Sequence, residues 1–492
     1  MVKLNKNTIQ DKIHACWIGK NIGGTIGGPY EGRREILDIK GFTTKKGSPL
    51  PNDDLDLQLV WLKAMEEYGP YQMSEQVLGE YWLSFISPHW NEYGVAKANL
   101  RAGILPPFSG EHENALWKHS NGGWIRSEIW ACLSPGFPHI ANHYAYMDAC
   151  VDHGSGEGTY GEIFTATMES LAFFETDIRE IIEKALTFIP QESRLAKSVR
   201  LVLTAYDRGE EWVQVRNRLV EQSADLGWFQ APANIGFVVL GLLYGEGDFR
   251  RSVLYAVNCG DDTDCTGATA GAFLGILKGM EGIPADWAEY IGEEIRTVAL
   301  TAECYDLPGN CMDLTRRVMS MIPVVWKANG INMEYTQGDS DLTHTRELAV
   351  SEGISWAMYD RGEDTVTSRL GMKPCSYLAF DTVYARGIAE FEGEPRLKEG
   401  SLRFRLRLYN KMMEPRHLYF HAYLPRGWSA EYAKSIFMRY PNVHDETDRQ
   451  RYEIWEITVR ADEGAQTQNR MVIEVTADGR CLTGLVPVCI LN

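Results

Sequence analysis

Apolar residues recur with a helical period through most of the first 340 positions of the chain. The pattern predicts helices over residues 9–24, 52–69, 141–152, 164–174, 178–188, 192–208, 212–222, 234–244 and 249–258. Alternating runs typical of strands are scarce in this part, and there is no internal period of the length that marks a solenoid. The sequence therefore predicts an all-α domain over residues 1–335.

The pattern changes after about residue 331. Short alternating or β-branched runs appear, separated by Gly, Pro, Asn and Asp: residues 376–384, 401–409, 416–424, 452–460 and 470–477. This spacing predicts a C-terminal all-β domain over residues 345–492, a sandwich of the immunoglobulin-like kind. Its acidic residues form no cluster, so we expect an accessory role for it.

Composition narrows the class of protein. The 492 residues are enough for two or more cores. A formal net charge of -18 disfavours binding of nucleic acid through a broad basic surface, so small molecules are the expected partners. No apolar run reaches the roughly 18 residues of a membrane span and no signal peptide is evident, which predicts a soluble, cytoplasmic protein with no membrane partner. The 10 cysteines are scattered and are expected to be reduced.

One stretch concentrates acidic residues. Asp261, Asp262 and Asp264 fall within four positions directly after Gly260. Carboxylates this close together repel one another and usually need a cation or strong donors. Three glycines follow at intervals of four residues: Gly267, Gly271 and Gly275. On a helix they would form one smooth face against which a neighbouring helix can pack closely.

A second acidic group lies at Asn52, Asp53 and Asp54. Asn52 is a favourable N-cap, and acids in the first turn complement the positive end of a helix. That explanation leaves Asp56 unaccounted for, because it lies in an otherwise apolar run. Hard divalent cations prefer oxygen ligands, so this group and the Asp262 group could supply two halves of one metal site.

Other motifs allow two interpretations from the residues alone. The glycine-rich segment 23–29 could bring backbone amides to a ligand or allow close helix contact, and Glu31 could be a surface or a site carboxylate. Arg126 beside Glu128 is typical of a surface pair, and His153 at a helix C-terminus is typical of a dipole partner.

Five segments, in this order, resemble the ADP-ribosylglycohydrolase family, which includes the dinitrogenase-reductase-activating glycohydrolase and the ADP-ribosyl-acceptor hydrolases. The segments from Gly23 to Glu31 and from Asn52 to Leu55 are similar to its Gly-Asp-Ala-x-Gly-x-x-x-Glu and Thr-Asp-Asp-Thr motifs. Gly122 to Arg126 is similar to Gly-x-x-x-Arg, Asp152-His153 to Thr-His, and Gly260 to Cys265 to Gly-Gly-Asp-Thr-Asp-Thr. The resemblance covers about residues 9–285.

This resemblance implies an all-α hydrolase with two Mg²⁺ or Mn²⁺ ions, which cleaves the N- or O-glycosidic bond between ADP-ribose and an acceptor. It assigns Glu31 and Asp54 as catalytic carboxylates. The implied metal ligands are Asn52, Asp53, Asp54, Asp262, Asp264 and Cys265. The implied substrate-binding residues are Gly122, Gly123, Arg126, His153, Ser155 and Gly156.

The chain departs from the family pattern at neutral positions. Gly24 replaces an aspartate, Asn52 and Leu55 replace two threonines, and Cys265 replaces a threonine ligand. Because a thiol is a soft ligand, water, Thr266 or Asp261 could fill that corner instead. Two alternatives to the leading hypothesis follow: a non-catalytic protein that binds ADP-ribose or a nucleotide, and a hydrolase of another nucleoside or glycoside.

Overall fold

The computed structural model describes residues 1–342, 377–382, 384–410, 414–439, 452–462 and 464–492. A helical domain is followed by a domain of antiparallel sheets, which confirms the predicted fold class. The predicted start of the second domain at residue 345 lies outside the described residues and stays a prediction, as does the boundary at 335. Within the described ranges, every helix is too short or too polar to cross a membrane.

The helices of the first domain are α1 (Lys6–Gly27), α2 (Asp53–Tyr68), α3 (Glu75–Phe85), α4 (Asn91–Ala102), α5 (Glu128–Leu133), α6 (Pro138–Asp152), α7 (Glu157–Ala172), α8 (Ile178–Leu186), α9 (Arg194–Asp207), α10 (Trp212–Gln222), α11 (Ala231–Tyr244), α12 (Phe249–Asn258), α13 (Thr263–Lys278), α14 (Ala285–Ile291) and α15 (Cys311–Ala328). Two of them, α10 and α12, have the predicted bounds. Helix α7 begins seven residues before its predicted start at 164, because glycines in its first turns, such as Gly158 against the ring of His153, serve close packing.

Helix α2 shows how local signals place the acids. Asn52 is its N-cap and accepts a hydrogen bond from the backbone N–H of Asp54 at 2.8 Å, and Gly69 ends the helix with φ of 74°. Asp56 is explained by a distant segment: its Oδ2 accepts the backbone N–H groups of Val298 and Ala299, both at 2.6 Å. The buried carboxylate therefore fixes that segment against α2.

The helical domain also holds a two-stranded parallel sheet of β1 (Val2–Asn5) and β2 (Met333–Thr336). The sequence pattern missed it, because strands of 4 residues are too short to show alternation.

The second domain contains β3 (Tyr377–Asp381), β4 (Ala385–Phe391), β5 (Ser401–Asn410), β6 (Arg416–Tyr423), β7 (Ser429–Tyr432), β8 (Ser435–Met438), β9 (Glu453–Arg460), β10 (Gln468–Ala477) and β11 (Thr483–Leu491). One sheet has the order β11-β10-β6-β8 and the other β3-β4-β5-β9-β7. The sheets share a core in which Phe420 of the first stacks on Trp455 of the second at 4.5 Å between ring centroids. The sequence missed β11, whose Pro487 is tolerated because the strand lies at a sheet edge.

Helices α1 and α13 are in direct backbone contact, and this contact positions the site. A Cβ atom on Gly19 would lie 2.2 Å from the carbonyl oxygen of Gly271, and one on Gly23 would lie 1.9 Å from that of Gly267. The contacts run in opposite order along the two helices, so the helices are antiparallel. The C-terminal end of α1 therefore meets the first turn of α13, where a Cβ on Gly27 would lie 2.1 Å from the carbonyl oxygen of Thr263.

Candidate metal centre and active site

The acidic residues of three segments converge where α1 ends. Glu31 follows a single 3-10 turn after α1, Asp53 and Asp54 occupy the first turn of α2, and Asp262 and Asp264 lie at the start of α13. Two helix N-termini thus contribute to the same place, and their partial positive charge favours anions there.

The ligand atoms form two groups that share one residue. In the first group, atoms of Asp54, Asp264 and Cys265 all lie within 4.8 Å of one another. In the second, atoms of Glu31, Asp262 and Asp264 do so. We call them the sulfur triad and the oxygen triad. Because Asp264 belongs to both, the two groups are adjacent halves of one cluster.

Burial makes this cluster costly without a cation. Asp54, Asp262 and Asp264 are only 0%, 4% and 9% exposed. Within the described part of the chain, Oδ2 of Asp54, Oδ1 of Asp262 and Oδ1 of Asp264 have no hydrogen-bond partner. Buried carboxylate oxygens need hydrogen bonds, opposite charge or a metal. Unpaired oxygens on a set of hard donors fit divalent cations such as Mg²⁺ or Mn²⁺.

Burial and mutual repulsion raise the pKa values of carboxyl groups in the cluster. Asp264, followed by burial, raises the pKa of Glu31 to about 7. Burial, followed by Asp264, raises the pKa of Asp53 to about 6, although the Tyr93 hydroxyl opposes this by donating to its Oδ2 at 2.9 Å. Burial raises the pKa of Asp54 and of Asp262 well above the ordinary range. The cluster holds more negative charge than its own surroundings stabilise.

One buried lysine lies behind the cluster without neutralising it. The Nζ of Lys20 donates to Glu128 at 2.7 Å and to the Ile125 carbonyl at 2.8 Å. Gln58 links this pair to the site, since its Nε2 donates to Glu128 at 2.8 Å and to the Asp54 carbonyl at 2.9 Å. Burial alone would lower the pKa of Lys20, but Glu128 and then Asp54 raise it, so the lysine keeps its charge. Glu128 balances that charge.

Asn52, a predicted ligand, is engaged in local structure. Its Oδ1 caps α2, as described above, and its Nδ2 faces Gly24, where an added Cβ would lie only 2.5 Å away. Two departures from the family pattern therefore meet: the larger side chain at 52 uses the space that glycine leaves at 24. A ligand role for Asn52 remains a prediction that requires the second lone pair of its Oδ1.

Gly122 and Gly123 lie next to Asn121, a residue that the sequence interpretation missed. Asn121 Nδ2 donates to Oδ2 of Asp262 at 2.6 Å, which fixes that carboxylate. An added Cβ on Gly122 would lie 2.2 Å from Glu92 Oε1, and one on Gly123 would lie 2.9 Å from the Gly158 carbonyl oxygen. The two glycines bring the backbone close to its neighbours beside the cluster.

Arg126 is fully buried and does not form a surface pair with Glu128. It donates to Asp148 from Nε at 3.0 Å and to Asp152 from both terminal nitrogens, at 2.7 and 3.0 Å. Glu162 lies 3.9 Å away. The guanidinium is thus committed to carboxylates of α6 and α7, and we call these four residues the arginine cluster.

His153 is also fully buried. Its Nδ1 lies 2.8 Å from Oδ1 of Asp152, and its Nε2 lies 3.2 Å from Oγ of Ser120. His153 is the C-cap residue of α6, and its ring is linked to the arginine cluster by the contact with Asp152. Its predicted contact with substrate stays a prediction.

Ser155 and Gly156 connect α6 to α7. The backbone N–H and the hydroxyl of Ser155 donate to Oε2 of Glu111, at 3.3 and 3.2 Å. Gly156 is the N-cap of α7, and an added Cβ would lie 1.8 Å from the carbonyl oxygen of Lys118. A substrate that used the Ser155 hydroxyl would compete with Glu111.

Asp261 adopts φ of 68°, a left-handed conformation that explains why the family motif has glycine at this position. Its Oδ1 accepts the backbone N–H of Phe229 at 3.1 Å, and its Oδ2 lies 3.4 Å from Arg34 Nε. Asp261 therefore ties two loops to the start of α13 and turns away from the cluster.

The residues that support the site were missed for a common reason. Lys20, Gln58, Tyr93 and Asn121 act through contacts between distant segments, which spacing along the chain does not reveal. The available signal was a polar residue inside an apolar helical run, as for Lys20 and Gln58. Such residues are buried only when they are paired.

Comparisons with known proteins concern the family to which the chain is similar. A family model described as ADP-ribosylglycohydrolase matches residues 5–320, which confirms the predicted resemblance. A protein of Archaeoglobus fulgidus, described as uncharacterized, is 21% identical over 327 residues, or 62% of this chain and 100% of that protein. ADP-ribosylarginine hydrolase Tri1 of Pseudomonas putida is 33% identical over 67 residues, or 14% of this chain and 18% of that protein. The solved structure of an ADP-ribosylglycohydrolase-related protein complex covers 65% of this chain and 99% of its own, with 17% identity and a TM-score of 0.43.

Proposed function

Because the chain belongs to the ADP-ribosylglycohydrolase family and is therefore a hydrolase of glycosidic bonds, we propose that the cluster around Asp264 is its active site. The substrate is an ADP-ribosylated acceptor, or a related riboside, and two divalent cations of the Mg²⁺ or Mn²⁺ kind complete the site. The observation that carries this proposal is the pair of triads that share Asp264, together with the buried oxygens of Asp54, Asp262 and Asp264 that lack a hydrogen-bond partner among the described residues.

The ligands for the cations are the carboxylates of Asp53, Asp54, Asp262 and Asp264, with Asn52 and Cys265 as the remaining candidates. Bound divalent cations supply positive charge that stabilises substrate oxygens and acidifies water. The chain itself supplies rigidity: the backbone contact of α1 with α13 fixes one pair of acids, and the N-cap of α2 fixes the other.

Glu31 and Asp54 differ in what they can do to a proton. Glu31 is the exposed member of the cluster, so its carboxylate can accept a proton from an attacking water. Asp54 is completely buried, which favours a ligand role over direct contact with the sugar. The negative charge of both carboxylates stabilises the positive charge that develops on the ribose as the glycosidic bond breaks.

The substrate-binding part of the proposal concerns the two glycine-containing segments. Gly122, Gly123 and Gly156 let backbone groups approach the phosphates or the distal ribose, and Ser155 adds a hydroxyl. Arg126 and His153 are fully buried and hydrogen-bonded within the protein, so they would act by positioning these segments. Arg126 donates to the Gly122 carbonyl at 2.5 Å, so it positions this segment.

Release of ADP-ribose tests the proposal. Full-length protein with Mg²⁺ or Mn²⁺ is incubated with arginine- or serine-linked ADP-ribosyl protein and with small ADP-ribosyl compounds, and free ADP-ribose is measured. We expect release that depends on the cation and disappears in Asp262→Asn. Tight binding of ADP-ribose without release from any substrate would contradict hydrolysis and favour a binding protein.

A further inference from the structure

The sulfur triad contains a thiol where the family motif has a threonine. Cys265 is 6% exposed, and its Sγ donates to Oδ1 of Asp54 at 3.3 Å. An atom of Asp264 lies in the same group, within 4.8 Å of the thiol and of Asp54. Cys265 belongs to the apolar core of the helical domain, but its sulfur lies next to buried carboxylate oxygens.

The two side chains that could replace Cys265 at this corner are engaged elsewhere. The hydroxyl of Thr266 donates to the backbone carbonyl of Thr263 at 3.3 Å. The carboxylate of Asp261 accepts from Phe229 and faces Arg34, on the far side of the loop. Of the three candidates, Cys265 alone presents its side chain to Asp54 and Asp264.

The second observation is the unpaired oxygen beside the thiol. Oδ2 of Asp54 is fully buried and lacks a hydrogen-bond partner within the described residues, as does Oδ1 of Asp264. A cation held by the carboxylates of Asp54 and Asp264 would also lie near the sulfur, because one ligand atom of each of the three residues lies within 4.8 Å of the other two. The oxygen triad, Glu31, Asp262 and Asp264, offers such an ion carboxylate oxygens alone.

We infer that the two triads select different ions, and that the sulfur triad holds a borderline transition-metal ion such as Fe²⁺, Co²⁺ or Zn²⁺ in preference to Mg²⁺. The inference rests on the proposed function, because it takes the cluster to be a metal centre. Thiolate favours the softer, borderline ions, whereas carboxylates alone suit Mg²⁺ and Mn²⁺. The oxygen triad remains suited to the harder ions.

When a metal ion binds at the sulfur triad, it replaces the proton of the Cys265 thiol. The ion takes the place of the S–H proton, which passes to solvent, and a metal–sulfur bond forms with no change of oxidation state. Oδ1 of Asp54 loses the S–H donor at the same time and becomes available to the ion. The thiol and this carboxylate therefore change partners together.

Titration of the metal-free, full-length protein with Co²⁺ under a phosphine reductant tests the inference. We expect a near-ultraviolet thiolate-to-Co²⁺ absorption that saturates at one ion per chain and is removed by Zn²⁺ but not by a tenfold excess of Mg²⁺ over Co²⁺. In Cys265→Ser the absorption disappears, and the preference for Co²⁺ over Mg²⁺ in calorimetric titration falls by about tenfold or more.

Cys259→Ser is the matched control, because Cys259 is also buried but lies next to Arg216 and belongs to neither triad. This variant keeps the absorption if Cys265 is its source. Absence of any Co²⁺ binding would overturn the metal centre and the proposed function with it. Co²⁺ binding without the absorption, or with an absorption that survives in Cys265→Ser, would overturn the inference alone. If Cys265→Ser does not fold, displacement of Co²⁺ from the natural protein by equimolar Mg²⁺ would overturn it.

Discussion

The helical domain buries two acid clusters that differ in one respect. The arginine cluster surrounds Arg126 with Asp148, Asp152 and Glu162, and its guanidinium donates hydrogen bonds to the first two. The cluster around Asp264 holds at least as many acids, but the nearest buried lysine, Lys20, is paired with Glu128. Both clusters contain buried acids, so buried negative charge alone does not define a site. Among the residues that the structure describes, Arg126 forms ion pairs with the first cluster, whereas no arginine or lysine forms one with Asp54, Asp262 or Asp264.

The largest expected effect concerns activity. Asp262→Asn removes one charge from the oxygen triad, and we expect kcat/KM for ADP-ribose release to fall on the order of a thousandfold, because metal charge stabilisation is worth several kcal/mol and each 1.4 kcal/mol is about a factor of ten. Asp261→Asn is the control, since its carboxylate faces away from the cluster. Equal losses in both variants would show that α13 is disturbed generally.

Substitutions in the two clusters should change the free energy of unfolding differently. Arg126→Met leaves Asp148 and Asp152 buried without their partner, and we expect the free energy of unfolding to fall by about 3–5 kcal/mol. Asp264→Asn in metal-free protein should leave stability unchanged or raise it, because it relieves repulsion. Denaturant unfolding of both variants with a chelator present checks this. Equal destabilisation would remove the distinction between the clusters.

Addition of cation should stabilise only the protein with an intact site. Ligand at a hundred times its Kd stabilises the native state by about 2.7 kcal/mol per site. We therefore expect Mn²⁺ to raise the unfolding temperature of the natural protein and to have little effect on Asp264→Asn. A rise of the same size in both would indicate binding elsewhere.

The smallest effect is a dependence on pH. The pKa of Glu31 is raised from 4.5 to about 7, so between these values the native state binds a proton that the unfolded chain does not. The free energy of unfolding of metal-free protein should therefore fall as pH rises from about 5 to about 7. Saturating Mn²⁺ should remove this slope, and thermal unfolding across that range measures it.

Asp152 gives the contrasting case. Burial would raise its pKa, but Arg126 and then His153 lower it to about 2. Its contribution to stability is present above the ordinary value of 3.8 and is lost only as pH falls toward 2. Destabilisation between pH 5 and 7 is therefore expected from the cluster around Asp264 and not from the arginine cluster.

Local signals predicted much of the fold. The bounds of α10 and α12 and the caps of α2 follow from apolar period and end residues. The smooth glycine face of α13 was also evident, and its partner proved to be the glycines of α1. The short strands β1 and β2 carry too little pattern to be found.

Of the residues at the candidate site, only the acidic ones could be predicted from the sequence. The resemblance indicated Glu31, Asp54 and the α13 aspartates, and the structure brings them together. It did not indicate that Asn52 fills the space beside Gly24. Nor did it indicate that the guanidinium of Arg126 is hydrogen-bonded to buried carboxylates of the same domain. Those facts depend on side chains from separate segments meeting in the interior.

The number of divalent ions bound per chain tests the central claim most directly. Equilibrium dialysis of metal-free protein against Mn²⁺ should give two ions per chain at saturation, with the number falling below one in Asp264→Asn at the same concentration, because both triads use this residue. No bound Mn²⁺ in the natural protein, or the same number in the variant, would contradict the assignment of the cluster as a metal centre.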